Sequence, residues 1–307
     1  MTEHLAGRAG APAVEAHFPG FADNVAGLVG HGLEFFLASN GSLRQHLNET
    51  PYGHKLTWLD FTDTTPKGWD TGEFLNLFNV INGIAFGDRG IPMPQWVMVD
   101  LILMPSAAVI AGLPQDEFAE MVEKSTFPFD TDVKQLLRTV QDDFRAGDYR
   151  GPIPVGGYCA APSAAPGTWV GWSLWSLMPR VGLGRAVKAL ALSAYDARKL
   201  DGVTQYDNSA LKVHTGFGPL RILVATVPFH TSPGSFVYET DFAAEPVPAG
   251  VEPSFLLDPF DYARQQRMQD AITARRSQFY VLPPGHVVRA GTTYVPVLEV
   301  PCTASPS

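Results

Sequence analysis

The sequence has few cysteines, a deficit of basic residues and no long apolar run, and each shortage excludes a class of protein. Its two cysteines, Cys159 and Cys302, form no CxxC pair, which excludes a zinc ribbon and a disulfide framework and favours a reducing cytoplasm. The 22 basic residues stand against 31 acidic ones, so the chain has a net charge of −9 and no positive field for wrapping nucleic acid. The most apolar run, residues 96–112, is interrupted by Asp100 and Pro105 and is too short to span a bilayer. We therefore expect a cytoplasmic protein that binds neither membrane nor nucleic acid.

What the chain does contain indicates a folded protein of mixed helices and strands. Of its 307 residues, 45% are hydrophobic and 17% are charged, which is enough for a sizeable core. The 29 glycines and 26 prolines indicate many turns. The spacing of apolar residues predicts helices over 21–36, 114–122, 130–145, 182–200 and 260–279, and strands over 55–61, 95–104, 155–160, 168–178, 211–213, 220–227 and 235–240. We expect an α/β or α+β fold in which a central mixed β-sheet is flanked by helices.

Changes in composition divide the chain into three parts. Residues 1–20, rich in Gly, Ala and Pro, are predicted to be a flexible arm, and they lack the basic start and apolar core of a secretory signal. Residues 21–242 are predicted to form one α/β domain that begins with a helical extension. Residues 243–307 are predicted to be a linker, a polar helix and a tail. We expect this C-terminal arm to lie outside the catalytic core and to be the segment through which a homodimer forms.

One stretch carries chemical content, the turn between a predicted strand and a predicted helix at Gly182 and Gly184. Glycines at such a turn let the backbone come close to a ligand. The first amides of the helix have no partner within the helix, and together with the helix dipole they form an anion site. Arg180, Arg185 and Lys188 add positive charge that suits a pyrophosphate. A plain tight turn with solvated basic residues is the alternative interpretation.

Further motifs follow this turn in an order known from one enzyme superfamily. After the apolar strand, the turn and the helix come Asn208, Ala210, His214 and the pair Phe217-Gly218. This order resembles the acetyl-CoA-dependent N-acetyltransferase superfamily, the GNAT fold. The sequence departs from the pattern because Pro179 stands near the position of the usual Gln or Arg, and because the Phe/Gly pair is reversed.

The resemblance implies that acetyl-CoA or another acyl-CoA is the cosubstrate and that an amine-like small molecule accepts the acyl group. It implies that Asn208 contacts the pantetheine side and that His214, which stands where the family has a tyrosine, lies near the leaving sulfur. It further implies that the pyrophosphate is held by the turn residues Arg180, Gly182, Leu183, Gly184 and Arg185.

Other residues support different chemistry. Asp100 lies in the middle of an apolar strand, where burial would raise its pKa and make it a general base, although a structural carboxylate is the alternative. Lys212 alternates with His214 on a predicted strand, and a buried amine there would attack a carbonyl. This pattern favours a metal-free lyase or cyclase with Lys212 or Asp100 in an apolar cavity. A non-catalytic ligand-binding protein needs only the cavity. No histidine pair has the spacing of a metal site, so we expect no metal.

Overall fold

In the computed structural model, helices and strands interleave along the described residues, which are 20–39, 57–60, 107–124, six helical positions between 134 and 142, 152–178, 180–195, 197–228, 234–242, 244 and 250–302. The helices are α1 (Phe21–Gly30), α2 (Gln115–Lys124), α3 (Leu183–Ala194), α4 (Leu211–His214) and α5 (Tyr262–Thr273). The strands are β1 (Glu34–Ser39), β2 (Thr57–Asp60), β3 (Ala107–Leu113), β4 (Ile153–Pro162), β5 (Thr168–Ser176), β6 (Lys199–Gln205), β7 (Leu220–Val224), β8 (Ser235–Asp241), β9 (Phe255–Leu257), β10 (Ser277–Val281), β11 (Val287–Arg289) and β12 (Thr292–Pro301). A mixed sheet of many strands is flanked by a few helices, so the α/β fold class is confirmed.

The chain divides into two compact units, which we describe separately. The N-terminal unit comprises residues 20–164 and 171–195, and the C-terminal unit has its described residues within 165–170 and 196–302. Residues 168–170 of β5 therefore belong to the C-terminal unit, and residues 171–176 belong to the N-terminal unit.

In the N-terminal unit the strands follow the order β2-β1-β3-β4-β5. β1 and β2 pair in parallel, whereas β3 pairs antiparallel with both β1 and β4. Nine of the ten residues of β4 are buried, as expected for a strand covered on both faces. Helix α3 packs on β3 and β4. Leu183 reaches β4 because position 156 is a glycine; a Cβ atom on Gly156 would lie 2.7 Å from the Leu183 side chain.

In the C-terminal unit the strands follow the order β6-β8-β7-β10-β12-β11, and β9 pairs with another part of β12. The pairings from β6 to β12 described here are antiparallel. Strand β8 alternates between buried and half-buried residues, which is the pattern of a strand with one face on a core. Buried residues between positions 206 and 297 form that core. Its aromatic members are Tyr206, Phe236, Tyr238 and Phe279.

Several predicted elements have different bounds or a different type in the structure. The predicted helix 21–36 ends at Gly30, because Gly32 takes a positive φ of 86° and the next residues pair with β3 as strand β1. The predicted helix 182–200 is α3 followed by β6, and the predicted helix 260–279 is α5 followed by the first residues of β10. The predicted strand 95–104 lies outside the described residues, and of 130–145 only short helical stretches are described.

The prediction of a strand over 211–213 is wrong, because these residues belong to helix α4. The Asn208 side chain accepts a hydrogen bond from the Ala210 amide at 2.9 Å and thereby starts the turn. The amides of Leu211 and His214 then donate to the carbonyls of Asn208 and Ala210, both at 2.9 Å. Local hydrogen bonds of this kind decide the structure of a segment that has only two apolar residues, Leu211 and Val213.

The chain after residue 242 supplies four strands to the C-terminal unit, whereas the sequence predicts a linker, a polar helix and a tail. Strand β10 pairs with β7, and β12 pairs with β10, β9 and β11. Phe279, Val281, Val295 and Val297 belong to the buried core of the unit. This segment is therefore part of the core of its own chain.

We expect Phe279→Ala to lower the free energy of unfolding by about 3–5 kcal/mol, because it empties a core site. Phe279 is 3% exposed, whereas Phe260, in the same segment, is 56% exposed. Phe260→Ala is the matched control and should change the free energy by no more than about 0.5 kcal/mol. Urea unfolding of both variants measures the difference. Equal effects would contradict the assignment of this segment to the core.

Candidate functional site

The N terminus of α3 is the first candidate site, and Gly182 lies directly before this helix. Gly182 precedes the helix with φ 81° and ψ 4°, a left-handed conformation that favours glycine. The helix begins with a hydrogen bond from the Ala186 amide to the Gly182 carbonyl at 3.0 Å. No side chain caps this end, so the first-turn amides are not used by a capping group.

The charge at this turn is positive. Arg180 and Arg185 are both exposed, and the first turn of α3 contains no acidic residue. Arg180 has a φ of 69°, which is uncommon for a residue with a side chain and is found at functional sites more often than elsewhere. Leu183 is buried and offers a ligand only its backbone, whereas Gly184 is half-buried.

Asn24, on helix α1, belongs to this turn and was not found from the sequence. A Cβ atom on Gly182 would lie 2.6 Å from Asn24 Nδ2, so the amide group lies directly against the glycine. The Asn24 Oδ1 atom is buried and has no hydrogen-bond partner among the described residues. Only the packing of α1 on α3 brings Asn24 here, and no local sequence pattern signals that contact.

Lys188 does not extend the positive charge of this turn, because its side chain is fully buried on α3. Its Nζ atom lies 5.9 Å from the centre of the Tyr158 ring, which belongs to β4. Burial lowers the pKa of Lys188 from 10.5 to about 7, so a large share of this amine is neutral near neutral pH. Burial also raises the pKa of the Cys159 thiol to about 12, which keeps it protonated.

The predicted site residues Asn208 and His214 belong to the C-terminal unit. The Asn208 side chain caps the turn before α4, as described above. His214 is buried, and its Nδ1 atom lies 3.1 Å from the Tyr238 hydroxyl. Burial raises the pKa of Tyr238 well above its usual value, so the hydroxyl stays protonated. The Tyr238 ring fits here because residue 202 is a glycine, at which a Cβ atom would lie 2.6 Å from the ring.

Two further predicted residues need correction or fall outside the described structure. Lys212 is exposed on helix α4 and does not alternate with His214 on a strand, so it is not the buried amine that the lyase hypothesis needs. Residues two apart on a helix point in different directions. Asp100 lies outside the described residues.

The described residues contain neither a metal-binding cluster nor a membrane-spanning helix. In the described ranges no group of three or more His, Cys, Asp or Glu side chains is arranged to hold a metal ion. None of the helices formed by these residues is long and apolar enough to cross a membrane.

No protein-family model matches the chain, and no curated protein matches its sequence.

The burial of Lys188 predicts a specific dependence of stability on pH. Its folded pKa of about 7 lies below the ordinary value of 10.5, so the unfolded chain binds more protons between these two values. The contribution of Lys188 to the free energy of unfolding therefore rises with pH between about 7 and 10.5 and is lowest below pH 7. Lys188→Met removes this contribution, so the variant should be more stable than the parent at low pH. As the pH rises through this range, that difference in the free energy of unfolding should shrink by up to about 1.4 kcal/mol per pH unit.

Urea unfolding of both proteins at pH 6, 7.5 and 9 measures this effect. Lys212→Met, which removes an exposed lysine, is the control for losing one positive charge at the surface. A difference between parent and Lys188→Met that is constant from pH 6 to pH 9 would show that Lys188 is not buried as described.

Proposed function

We propose that the protein binds the pyrophosphate of an acyl-CoA at the N terminus of α3 and transfers the acyl group to a small amine-like acceptor. The observation that supports this proposal is the turn itself: an uncapped helix start after two left-handed residues, Arg180 and Gly182. Both cysteines are free thiols, which fits an enzyme of the reducing cytoplasm.

Three features of the turn favour a phosphate over a neutral ligand. The first-turn amides of a helix carry about half a positive charge and point at whatever lies beyond the helix end. Exposed guanidinium groups at positions 180 and 185 match phosphate geometry, because each can donate two parallel hydrogen bonds. The amide of Asn24 adds a neutral donor beside Gly182.

Acyl transfer joins the acceptor nitrogen to the thioester carbonyl carbon and breaks the bond from that carbon to sulfur. The acceptor nitrogen loses a proton, and the leaving thiolate gains one. The assignment of these transfers to Asp100 as the base and His214 beside the sulfur rests on the sequence and stays a prediction. Binding of the pyrophosphate is the step for which the geometry of α3 provides support.

We expect the double variant Arg180→Ala, Arg185→Ala to bind coenzyme A about 100-fold more weakly than the parent, since each charged contact is worth roughly a factor of ten. Isothermal calorimetry with coenzyme A, ADP and pantetheine measures this. Coenzyme A and ADP should bind and lose affinity with added salt, whereas pantetheine, which has no phosphate, should not depend on these arginines.

Arg289→Ala is the matched control, because Arg289 is an exposed arginine on β11. Its affinity for coenzyme A should equal that of the parent. If coenzyme A gives no heat at millimolar concentration, or if the double variant binds as the parent does, the proposal is wrong.

Lys188 supports a second candidate function, a metal-free lyase or cyclase that forms a Schiff base. A neutral amine attacks a carbonyl carbon, and loss of water leaves an imine that accepts electrons from a neighbouring bond. The burial of Lys188 supplies the lowered pKa that this chemistry needs, whereas Lys212 is exposed. Lys188, and not Lys212, is therefore the candidate amine for Schiff-base formation.

We expect borohydride to trap an adduct on Lys188 when the protein is incubated with a reactive 2-keto acid or ketone at pH 7.5. Intact mass and peptide mapping locate the adduct. Lys188→Met should lose it, whereas Lys212→Met should keep it. Labelling confined to exposed lysines, or labelling that survives Lys188→Met, would contradict the Schiff-base function.

A further inference from the structure

Two buried polar side chains on one face of β5 have no hydrogen-bond partner among the described residues. They are Ser173 and Trp175, which are 5% and 4% exposed, and the unpartnered atoms are Oγ and Nε1. Residues two apart on a strand point to the same face, with about 7 Å between them. Both side chains are therefore buried on the same face of β5 in the N-terminal unit.

Unpartnered buried donors of this kind are rare in folded proteins. More than about 90% of buried polar groups have a partner, since an unmet buried donor loses its hydrogen bonds to water without replacement. The indole N–H can only donate, and the serine hydroxyl can donate as well as accept. An oxygen acceptor is therefore the kind of group that would satisfy both side chains.

The indole of Trp175 is held in this position by β4. A Cβ atom on Gly157 would lie 2.8–2.9 Å from the indole atoms Cζ2, Cε2 and Nε1, so the ring lies directly over the glycine. The two strands are joined beside it by a hydrogen bond from the Leu177 amide to the Val155 carbonyl at 2.8 Å. The Nε1–H group is therefore fixed by backbone and does not depend on a mobile loop.

This face of β4 is opposite to the face that contacts α3. Gly156 and Tyr158 face α3, where they meet Leu183 and Lys188, and side chains alternate along a strand, so Gly157 faces the other way. The buried amine of Lys188 is thus on the far side of β4 from Trp175. A carboxylate between Ser173 and Trp175 would be separated from the Lys188 amine by β4 and would lose its hydration, which is costly.

We propose that Ser173 and Trp175 form a binding site for the carbonyl oxygen of a small, uncharged ketone or amide. The carbonyl accepts one hydrogen bond from Trp175 Nε1–H and one from the Ser173 hydroxyl. The site lies on the opposite side of β4 from the N terminus of α3, so it does not depend on the coenzyme A proposal.

The indole N–H signals of protein labelled with ¹⁵N at tryptophan Nε1 test this site. Acetone and cyclohexanone are the uncharged probes, and acetate, which matches acetone in size, is the charged one. We expect a saturable downfield shift of the Trp175 signal with either ketone and none with acetate. No shift with either ketone, or a shift with acetate alone, would overturn the proposal.

Two variants and a control locate the contacts. Ser173→Ala should weaken ketone binding by roughly three- to tenfold, the usual effect of one neutral hydrogen bond. Trp175→Phe keeps an aromatic ring and should abolish the shifting signal and weaken binding, as measured through the ketone's ¹³C carbonyl resonance. Trp172→Phe is the control, because Trp172 is 43% exposed and lies on the other face of β5. This variant should bind the ketone as tightly as the parent does.

A bound water could be the natural partner of Ser173 and Trp175 in place of a ligand, and a further measurement distinguishes the two. If the Trp175 Nε1–H group shows a cross-relaxation signal to a bound water that persists at saturating ketone, the proposal is overturned. Disappearance of that signal on ketone binding would support it. Far-ultraviolet circular dichroism of each variant checks that the fold is retained.

Discussion

The close packing of α3 on β4 is the contact on which the described features of the N-terminal unit depend. Ten of the twelve residues of α3 are buried, and the two that are not, Gly184 and Arg185, lie in its first turn. Burial of a helix over almost its whole length leaves only one end for solvent and ligands. The glycine at position 156 allows this approach, because any side chain there would collide with Leu183. One contact therefore both leaves the first turn of α3 accessible and buries the lysine.

The sequence predicts an element well where a strong local signal and the tertiary structure agree. Helix α3 begins one residue after the predicted start at Gly182, because Gly182 takes the left-handed conformation directly before the first helical residue. The prediction over 211–213 is wrong because two apolar residues on either side of a lysine are also compatible with one helical turn, and the cap from Asn208 selects the helix. Short apolar segments are ambiguous for this reason.

The candidate site could be predicted only where it is built from neighbouring residues. Gly182 and its flanking arginines are adjacent in the chain, so their spacing alone indicates a turn with positive charge. Asn24 reaches the same turn from a helix about 160 residues earlier, and Trp175 owes its position to a glycine on another strand. The burial of Lys188 is also tertiary: basic residues near a helix start are usually solvated, and only the covering strands decide otherwise.

The C-terminal unit shows how one pair of strands separates charge from the core. Along β6 and β8 the half-buried faces carry Lys199 and Asp201 opposite Asp241 and Glu239, and Lys199 forms ion pairs with both acids on β8. The buried faces carry Gly202 opposite Tyr238, which bonds His214. Burial is the main cause that raises the pKa of Asp201, and Glu239 beside it is the next. A charged face this close to the core remains compatible with folding because the pleat places consecutive side chains on opposite sides. The same alternation in β4 places Lys188 and Trp175 on opposite faces, so the amine and the indole donor belong to two chemically separate environments within one unit.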